Sequence, residues 1–481
     1  MIMPAIRFYN TLSHLKEEFH AIIPGEVRMY TCGPTVHDYA HLGNFRAYIF
    51  EDLLRRTLKF FGYRVTQVMN LTDVEDKIIR KSRESGQSVA DYTRVYKEAF
   101  FQDLDALHIE RAEVYPAATD HIPEMVDLIQ KLRAQGHTYE ADGSIYFRIS
   151  TFPQYGRLAN VNPEGLRSGQ RVDTDEYEKE DVRDFALWKA WTPDDGEVFW
   201  ETALGKGRPG WHIECSAMST KYLGTHFDIH TGGVDNIFPH HENEIAQSVC
   251  GYGDKFANYW LHNAHLVVNG EKMSKSLKNF YTLRDVTSAG YSPRVVRYFL
   301  MSAQYRQPLN LMYDPESGNA ESFAAAKSAL DRLDELRVKL AEIERHAAAG
   351  DLQSRKVSDL LETADQGFQE ALANDLDISG ALGAMFGLVK EANRLIACGE
   401  ITAADAGSIL AKLKRWDAVL GIIEPDERAF ADDARIEALV QERLAARREK
   451  NFKRSDEIRD LLIKEGVILQ DMPTGTRWKR Q

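Results

Sequence analysis

The stretch VRMYTCGPTVHDYAHLGNFRAYIFEDLLRRTLKFFGYRVTQVMN, residues 27–70, carries two strand patterns with a helical pattern between them. Residues 27–32 are largely apolar and run into a Gly-Pro loop, and residues 64–70 read as a second strand. Residues 43–61 place apolar side chains at the spacing of a helix. Strand, loop, helix and strand in this order predict a βαβ unit, and therefore a parallel sheet that binds its ligands at the carboxyl ends of its strands.

Residues that follow the first predicted strand lie where such a sheet would bind its ligand. They include Cys32, His37 and His41. The tetrapeptide HLGN (41–44) opens the predicted helix, where Gly43 permits a close backbone approach and the helix N-terminus favours an anion. It could equally be an ordinary helix start.

Composition restricts the class of protein. With 481 residues, 43% of them hydrophobic, the chain has the length of about three soluble globular domains. We find neither an apolar run long enough to span a bilayer nor a signal-peptide profile, and four cysteines argue against a disulfide framework. We therefore expect a cytoplasmic protein in a reducing environment.

Charge argues against a general nucleic-acid coat protein, since the formal net charge is −13. One local segment is nevertheless basic, with Arg443, Arg447, Arg448, Lys450, Lys453 and Arg454 opposed only by Glu442 and Glu449. From composition alone, a solvated helix face is the favoured interpretation of this segment, and a local nucleic-acid contact remains open.

Four residues from distant segments form a plausible zinc-ligand set: Cys32, Cys215, His240 and Glu244. Two thiolates, an imidazole and a carboxylate suit tetrahedral Zn²⁺. A helix that starts near Pro239 would place His240 and Glu244, four residues apart, on one face. The alternative is a surface His–Glu pair and two small buried cysteines, which is how we interpret Cys250 and Cys398.

Two further motifs suit a nucleotide. TGGVD (231–235) follows a predicted strand, so that Gly232 and Gly233 could cradle an adenosine while Asp235 meets a ribose hydroxyl. KMSKS (272–276) offers Lys272 and Lys275 in a polar loop, suited to a triphosphate on which charge develops. A simple turn and an exposed loop are the alternatives, but the order of HLGN, TGGVD and KMSKS is hard to attribute to chance.

Taken together, these motifs resemble those of class I aminoacyl-tRNA synthetases, and within that class those of the cysteinyl-tRNA synthetase family. The resemblance rests on YTCGPTVHDYAHLGNFR, NLTDVEDKII, DFALWK, GRPGWHIECSAMS, FPHHENEIAQS, KMSKSLKNF and the terminal GTRW. It covers nearly the whole chain, in order.

The resemblance implies an α/β Rossmann-type class I synthetase catalytic domain with an inserted connective domain, a mostly α-helical tRNA-binding region and a small C-terminal anticodon-binding unit. The corresponding boundaries are 1–120 and 206–270 for the two catalytic halves, 121–205 for the insertion, 271–317 for the KMSKS loop and stem-contact region, 318–425 for the helical bundle and 426–481 for the terminal unit. The sequence pattern also changes here, to short predicted strands and charged turns, which indicates that 121–205 is an insertion.

The resemblance also assigns roles to residues. Cys32, Cys215, His240 and Glu244 match zinc ligands, while Thr72 and Trp211, with His230 beside them, match the cysteine pocket. ATP would meet His41, Asn44, Gly43, Gly232, Gly233, Asp235, Lys272 and Lys275. The basic segment becomes an expected tRNA contact, and our candidates for tRNA binding are Arg447, Arg448, Asp456, Asp471 and Trp478.

The activity implied is ATP-dependent ligation of L-cysteine to tRNA(Cys) through a cysteinyl-adenylate, with one Zn²⁺ per chain and with Mg²⁺ accompanying ATP. We also expect a monomeric chain with no membrane partner. Two alternatives remain. The cysteine ligase of mycothiol synthesis lacks a long tRNA-binding region, and a non-catalytic tRNA-binding paralogue would have lost activity at HLGN. The chain departs from the family pattern in HLGN for HIGH, in His37 where Tyr is usual, and in Thr231 where Gly is usual.

Overall fold

The computed structural model describes residues 4–161, 184–253, 255–273, 277, 279–314, 317–345, 352–423, 426–448, 451–472 and 475–480. It divides into two compact units, Met1–Ile422 and Ile423–Gln481. The first holds the parallel sheet and the helices packed around it, and the second is a small helix–hairpin unit.

The predicted βαβ unit is present. An antiparallel pair, β1 (Arg7–Asn10) and β2 (Leu15–Glu18), precedes β3 (Glu26–Thr31), α1 (Leu42–Phe60) and β4 (Arg64–Met69). Strands β3 and β4 are parallel and in register from Glu26↔Arg64 to Thr31↔Met69. The apolar stripe of α1, which includes Phe45, Ile49 and Leu58, is buried, as its spacing predicts.

The central sheet has four parallel strands in the order β11-β10-β3-β4. Strand β10 (Phe227–Gly233) pairs with β3 on one side and with β11 (Ala257–Asn263) on the other. From β3 the chain forms β4 on one side of it and, later in the sequence, β10 on the other side. The direction of the strand order therefore changes between β3 and β10. Open α/β sheets bind ligands at such a switch point. There, the Cys32 amide donates to the Thr231 carbonyl oxygen at 3.3 Å.

Helices α2 (Asp76–Ser85), α3 (Val89–Ala106) and α4 (Ile122–Ala134) follow β4 and lead to a separate antiparallel sheet. That sheet has the order β5-β6-β7-β9-β8, formed by Thr138–Ala141, Ser144–Phe147, Phe185–Ala190, Gly205–Pro209 and Trp200–Thr202. Strand β9 crosses the boundary expected at 205/206 because its residues up to Pro209 pair with β7.

The chain returns to the parallel sheet through α5 (Trp211–Leu223) and α6 (Glu242–Tyr252). The apolar segment 258–268 forms parts of two strands in different sheets. Strand β11 ends at Asn263, and β12 (Leu266–Val268) pairs with β13 (Glu271–Lys272) and β14 (Leu309–Leu311). Between them the Ala264 amide donates to the Tyr305 carbonyl oxygen at 2.8 Å, which draws the chain out of the first sheet.

The rest of the first unit is helical, as the sequence predicts. Its helices are α7 (Leu283–Ser288), α8 (Pro293–Met301), α9 (Glu321–Arg345), α10 (Arg355–Ala373), α11 (Ile378–Ala397) and α12 (Ala403–Leu420). A fully buried ion pair joins α8 to α1, with Arg297 Nη2 at 2.6 Å from Asp52 Oδ2. Arg297 Nε also donates to the carbonyl oxygen of Leu420, the last residue of α12, at 2.7 Å.

The second unit comprises α13 (Asp426–Arg448), α14 (Phe452–Lys464) and an antiparallel hairpin of β15 (Val467–Met472) and β16 (Gly475–Arg480). Its described core consists of Ile436, Val440, Ile458, Leu462 and Val467. Across the described ranges of both units, no helix is long and apolar enough to cross a membrane.

Candidate active site

The HLGN segment forms the N-terminus of α1 through a reciprocal cap. His41 is the N-cap residue, and its Nδ1 accepts from the Asn44 amide at 3.2 Å while Asn44 Oδ1 accepts from the His41 amide at 3.1 Å. Such a capping box satisfies two backbone donors at once. A Cβ on Gly43 would lie 2.8 Å from His41 Cε1, so glycine is needed for the imidazole to fold over the helix end.

The chain around KMSKS lies beside this helix end. Strand β13 presents Lys272 as an exposed side chain, and beyond the motif the Tyr281 carbonyl oxygen accepts from the Leu42 amide at 2.9 Å. His41 also forms an isolated bridge with Thr282, and its ring centroid lies 4.6 Å from that of Phe280. The structure thus brings the two motifs together. Lys275 lies outside the described residues.

The predicted adenosine loop stands at the carboxyl end of β10. Gly232 and Gly233 close the strand, and a single 3₁₀ turn, Val234–Asn236, carries an exposed Asp235. A Cβ on Gly232 would lie 2.8 Å from the His241 ring, and one on Gly233 would lie 2.4 Å from Asp235 Oδ1, so each glycine allows a close approach.

Thr231, which replaces the usual glycine, has a partner under the sheet. Its hydroxyl donates to Glu51 Oε1 of α1 at 2.9 Å, and both side chains are fully buried. Burial raises the pKa of Glu51 to about 8, with the Thr231 hydrogen bond opposing the rise. The departure therefore joins the predicted adenosine loop to α1.

The four expected zinc ligands converge. One ligand atom from each of Cys32, Cys215, His240 and Glu244 can be chosen so that all lie within 4.8 Å of one another. Cys32 follows β3, and Cys215 lies on α5. His240 lies in an irregular turn (Ile237–His241) that precedes α6, and Glu244 lies in the first turn of α6. His240 Nε2 is 3.1 Å from Glu244 Oε1, as the spacing of four predicts.

A second set of ligand atoms meets the same distance criterion and shares two members with the first. It comprises Cys32, His230, His241 and Glu244. His241 Nε2 is 3.1 Å from Cys32 Sγ, and His230 Nε2 is 2.9 Å from Glu244 Oε2. His241 is not among the ligands predicted from the sequence, although the doubled histidine in FPHHENE is the signal that points to it.

Other histidines hold this cluster in place. His212 Nδ1 lies 2.9 Å from His240 Nδ1, and His262 Nε2 lies 2.8 Å from His241 Nδ1. His262 in turn contacts the Thr11 hydroxyl at 2.8 Å through its Nδ1. Such outer partners orient metal ligands and fix their tautomers.

Burial disfavours every charge in this cluster. It raises the pKa of Glu244 to about 8, against the opposing effect of His240, and lowers the pKa of His240 to about 3. A hydrogen bond with Cys32, followed by burial, raises the pKa of Cys215 well above its usual value. A cation bound in such a pocket would favour the deprotonated forms of the thiols and the carboxyl group.

The donor set fits zinc. Two cysteine sulfurs, an imidazole and a carboxylate are the ligands that structural and catalytic zinc sites use. Glu244 Oε1 is buried and accepts no hydrogen bond from the described residues, although His240 Nε2 stands close to it. A metal ion held by these residues would satisfy such a buried carboxyl oxygen.

The three expected cysteine-pocket residues surround the cluster at different depths. Trp211, at the start of α5, is 42% exposed, and its ring centroid lies 4.4 Å from that of His240. Thr72 is buried beside the loop after β3, since its amide donates to the Pro34 carbonyl oxygen at 3.1 Å. His230 is fully buried and stacks on Trp260, so it stands behind Glu244.

Two residues absent from the sequence prediction contact Thr72. Asn70 Nδ2 donates to the Thr72 hydroxyl at 3.1 Å, and a hydrogen bond joins that hydroxyl to the carboxyl of Glu214 on α5. Burial, and then the charge of Asp73, raise the pKa of Glu214 well above its usual value. Neither the NLTD nor the WHIEC motif revealed this contact, because it depends on how α5 packs against the loop after β4.

The expected tRNA contacts lie in the second unit. Arg447 and Arg448 are exposed in the last turn of α13, and the exposed Asp456 of α14 is 3.3 Å from Arg459 Nη1. On the hairpin, Asp471 pairs in register with Thr476 and Trp478 with Leu469. The side chains of Asp471 and Trp478, like Lys450, fall outside the described part of the chain.

Comparison with known families and structures agrees with this architecture. Residues 18–316 match the model of the class I (C) tRNA synthetase catalytic domain, and residues 367–424 match the DALR domain. Two solved class I synthetases are similar in fold. A methionyl-tRNA synthetase of Mycobacterium tuberculosis bound by methionyl-adenylate gives a TM-score of 0.60 at 16% identity, covering 84% of this chain and 96% of that one. The Agrobacterium radiobacter LeuRS in a ternary complex gives 0.59 at 12%, covering 84% and 85%.

Curated relatives extend the likeness to the whole chain. The cysteine–tRNA ligase of Brachyspira hyodysenteriae is 50% identical over 485 residues, covering 100% of both chains. That of Protochlamydia amoebophila is 46% identical over 480 residues, covering 99% of this chain and 98% of its own. With its parallel sheet, its paired HLGN and KMSKS segments and its Cys/His/Glu cluster, the chain belongs to the cysteine–tRNA ligase family of class I aminoacyl-tRNA synthetases.

Proposed function

We propose that this protein joins L-cysteine to tRNA(Cys) at the expense of ATP, in two steps. The observation that carries the proposal is the meeting of three features at one end of the parallel sheet. These are the capped HLGN helix start, the segment around KMSKS that pairs with it, and the buried Cys/His/Glu cluster. A nucleotide site beside a thiol-binding site suits a ligase that activates cysteine.

In the first step the cysteine carboxylate attacks the α-phosphate of ATP, which gives cysteinyl-adenylate and releases pyrophosphate. No covalent nucleophile from the protein is needed. The N-terminus of α1 with His41 and Asn44 would hold the phosphates, while Lys272 and Lys275 offset the charge that develops as pyrophosphate leaves. Gly232, Gly233 and Asp235 would hold the adenosine.

The cysteine side chain would be recognised at the buried cluster. Cys32, Cys215, His240 and Glu244 would hold one Zn²⁺, with His230 supporting Glu244 from behind and His241 as a neighbouring imidazole. When bound, the ion would supply a soft Lewis acid that favours a thiolate over the hydroxyl of serine. Thr72 and Trp211 would line the rest of the amino-acid pocket.

In the second step a ribose hydroxyl at the 3′ end of the tRNA takes the aminoacyl group from the adenylate, and AMP leaves. Arg447 and Arg448 would contact phosphates, and Asp456, Asp471 and Trp478 would meet unpaired anticodon bases by hydrogen bonding or stacking. Mg²⁺ would accompany ATP. We further propose that the enzyme is cytoplasmic and monomeric. Sedimentation at several protein concentrations would test the monomeric state.

The decisive experiment is isotope exchange between pyrophosphate and ATP, followed by transfer to tRNA(Cys). Exchange should require cysteine and should not occur with serine, and charging should require the tRNA. Absence of exchange would identify a non-catalytic tRNA-binding paralogue. Exchange with transfer to an amino-sugar inositol and not to tRNA would identify a mycothiol-type ligase. Either result would contradict the proposal.

A further inference from the structure

Side chains, as well as the backbone, join the loop before HLGN to the segment beyond KMSKS. Tyr39 lies in that loop and is 37% exposed. Its ring meets the ring of Tyr96 on α3 edge-on, with 5.3 Å between the two centroids. The guanidinium carbon of Arg284, in the first turn of α7, lies 4.6 Å from the centroid of the Tyr39 ring. Tyr39 therefore contacts both α3 and the helix that follows KMSKS.

Arg284 also pairs with a buried carboxylate of α3. Its Nη1 lies 2.7 Å from Asp103 Oδ2, and the Asp103 side chain is only 7% exposed. Burial raises the pKa of Asp103, and the hydrogen bond with Arg284 opposes the rise. A planar guanidinium can pair with a carboxylate through its edge and cover an aromatic ring with its face, whereas the ammonium group of lysine is a point charge. We call Tyr39, Arg284 and Asp103 the clasp.

Helix α3 gives the clasp a fixed support. Phe100 is buried, and its ring centroid lies 5.4 Å from that of Tyr48 on α1. The Tyr92 hydroxyl donates to the His37 carbonyl oxygen at 2.9 Å. Helix α3 is thus attached to the HLGN helix and to the loop before it. A side chain that Asp103 holds is therefore fixed relative to both.

The clasp adds a second attachment point to the one that the backbone forms. At the first point, the Leu42 amide donates to the Tyr281 carbonyl oxygen and His41 bridges to Thr282. A segment attached at one point can still turn about it, whereas a second contact to another helix fixes its direction. Thr282 caps α7, so Arg284 in the first turn is held close to the backbone bridge. The clasp thus fixes the direction of the chain just beyond KMSKS.

We infer that Tyr39, Arg284 and Asp103 are positioning residues that hold the KMSKS segment against the HLGN helix start during adenylation. None of the three needs to touch ATP. The inference rests on the proposed function and deepens it, because it names what places the KMSKS lysines. A lysine offsets developing charge only from the right position, so losing the clasp should lower kcat more than it raises the KM for ATP.

The test measures cysteine-dependent pyrophosphate exchange in Arg284→Lys and Tyr39→Leu. The first variant keeps the positive charge and removes the planar contact, and the second keeps an apolar side chain and removes the ring. We expect kcat to fall about 2- to 30-fold in each, the range that a cation–π contact spans between exposed and desolvated sites. The KM for ATP should change little.

Matched variants separate this role from a structural one. Tyr39→Phe keeps the ring and should recover normal exchange. Arg111→Lys is the control, because Arg111 Nη2 pairs with Asp105 Oδ2 at 2.7 Å and its guanidinium carbon lies 4.4 Å from the Phe101 ring centroid. The Arg111 side chain is 38% exposed, as is that of Arg284, but both of its partners lie on α3. Arg111→Lys should leave exchange unchanged.

A double-variant cycle shows whether the clasp acts through the KMSKS loop. In a Lys275→Ala background, which lacks a side chain that the clasp would position, Arg284→Lys should have little further effect on kcat. Thermal unfolding checks that each variant is folded. Because Tyr39 is partly exposed, Tyr39→Leu tests the clasp even if Arg284→Lys does not fold.

Three results would overturn the inference. They are an unchanged kcat in folded Tyr39→Leu, a raised KM for ATP with an intact kcat, and a full additive effect of Arg284→Lys in the Lys275→Ala background. In each case exchange by the wild-type protein would leave the proposed function standing. A wild-type protein that gave no exchange would overturn the proposed function and this inference with it.

Discussion

The Cys/His/Glu cluster and the C-terminal unit present their side chains in opposite physical environments. In the cluster, Glu244 is fully buried, Cys215 and His240 are nearly so, and each group is oriented by a neighbour. In the C-terminal unit, Arg447 and Arg448 are exposed on α13. Under the proposed function, the cluster would select a small ligand by excluding water, and the C-terminal unit would offer solvated charges to a large one.

This difference sets the size and the salt dependence of the energies involved. Charges in a buried site interact strongly and are screened little, whereas exposed charges interact weakly and are screened by salt within about 10 Å at 0.1 M. Substitutions in the cluster should therefore have large effects that salt does not change. Substitutions on α13 should have small effects that salt removes.

The largest effect should come from losing a metal ligand. In Cys215→Ser we expect zinc content to fall well below one per chain and cysteine-dependent exchange to fall more than about 100-fold, since even outer-sphere partners contribute about 10- to 100-fold. Metal analysis and exchange assays measure both. Cys250→Ser is the control, because Cys250 lies in a different apolar cluster. Full zinc and normal exchange in Cys215→Ser would remove Cys215 from the ligand set.

The next effect should come from the KMSKS loop. Lys275→Ala should lower kcat for adenylation about 100-fold, the usual loss on removing one transition-state donor, with little rise in the KM for ATP. Steady-state exchange kinetics separate the two constants, and Lys278→Ala serves as a neighbouring control. A raised KM with an intact kcat would show that Lys275 binds ground-state ATP.

Removing the C-terminal unit should weaken the transfer to tRNA and leave the adenylation step unchanged. Deletion of 423–481, which follows the boundary between the compact units, should leave exchange near normal. It should lower kcat/KM for tRNA(Cys) by roughly 10- to 100-fold, the loss of one or two stacked or paired bases. Circular dichroism and thermal unfolding must first show that the remainder is folded. Loss of exchange in a folded truncation would make the unit part of the catalytic domain.

The smallest effect should be that of one exposed arginine. Arg448→Gln should weaken charging a few-fold at low salt and reduce the slope of log affinity against log salt by about 1, as expected for one lost phosphate contact. Filter binding over a salt series measures the slope. Arg64→Gln is the control, because Arg64 is an exposed arginine at the amino end of β4, outside the expected tRNA-binding regions. An unchanged slope would place Arg448 outside the tRNA contact.

The geometry of helices and parallel sheets was enough to predict part of the site from the sequence. The distance between His240 and Glu244 follows from helical spacing, and the approach of Cys32 to the end of β10 follows from the rule for parallel sheets. The doubled histidine points to His241, but spacing alone does not place it in a second ligand set. The direction of its side chain depends on the irregular turn Ile237–His241, where Phe238 leaves helical geometry.

Two other features depended on tertiary contacts. The partnership of Thr231 with Glu51 joins residues from separate strands and helices, and no spacing along the chain encodes it. The break of segment 258–268 into β11 and β12 likewise depends on Tyr305, which lies far along the sequence. A periodic pattern identifies an element, but it does not tell where a distant partner interrupts that element.

The hydrogen bond between Leu42 and Tyr281 has a consequence for how the protein folds. It joins two segments separated by about half of the chain, with the whole antiparallel insertion between them. Closing so long a loop carries an entropic cost that only an already folded intervening chain can reduce. If the HLGN helix start and the KMSKS segment form the proposed ATP site, that site is complete only after the residues beyond KMSKS have been synthesised. ATP bound to the complete site would then have no counterpart while only the first half of the catalytic domain has been made.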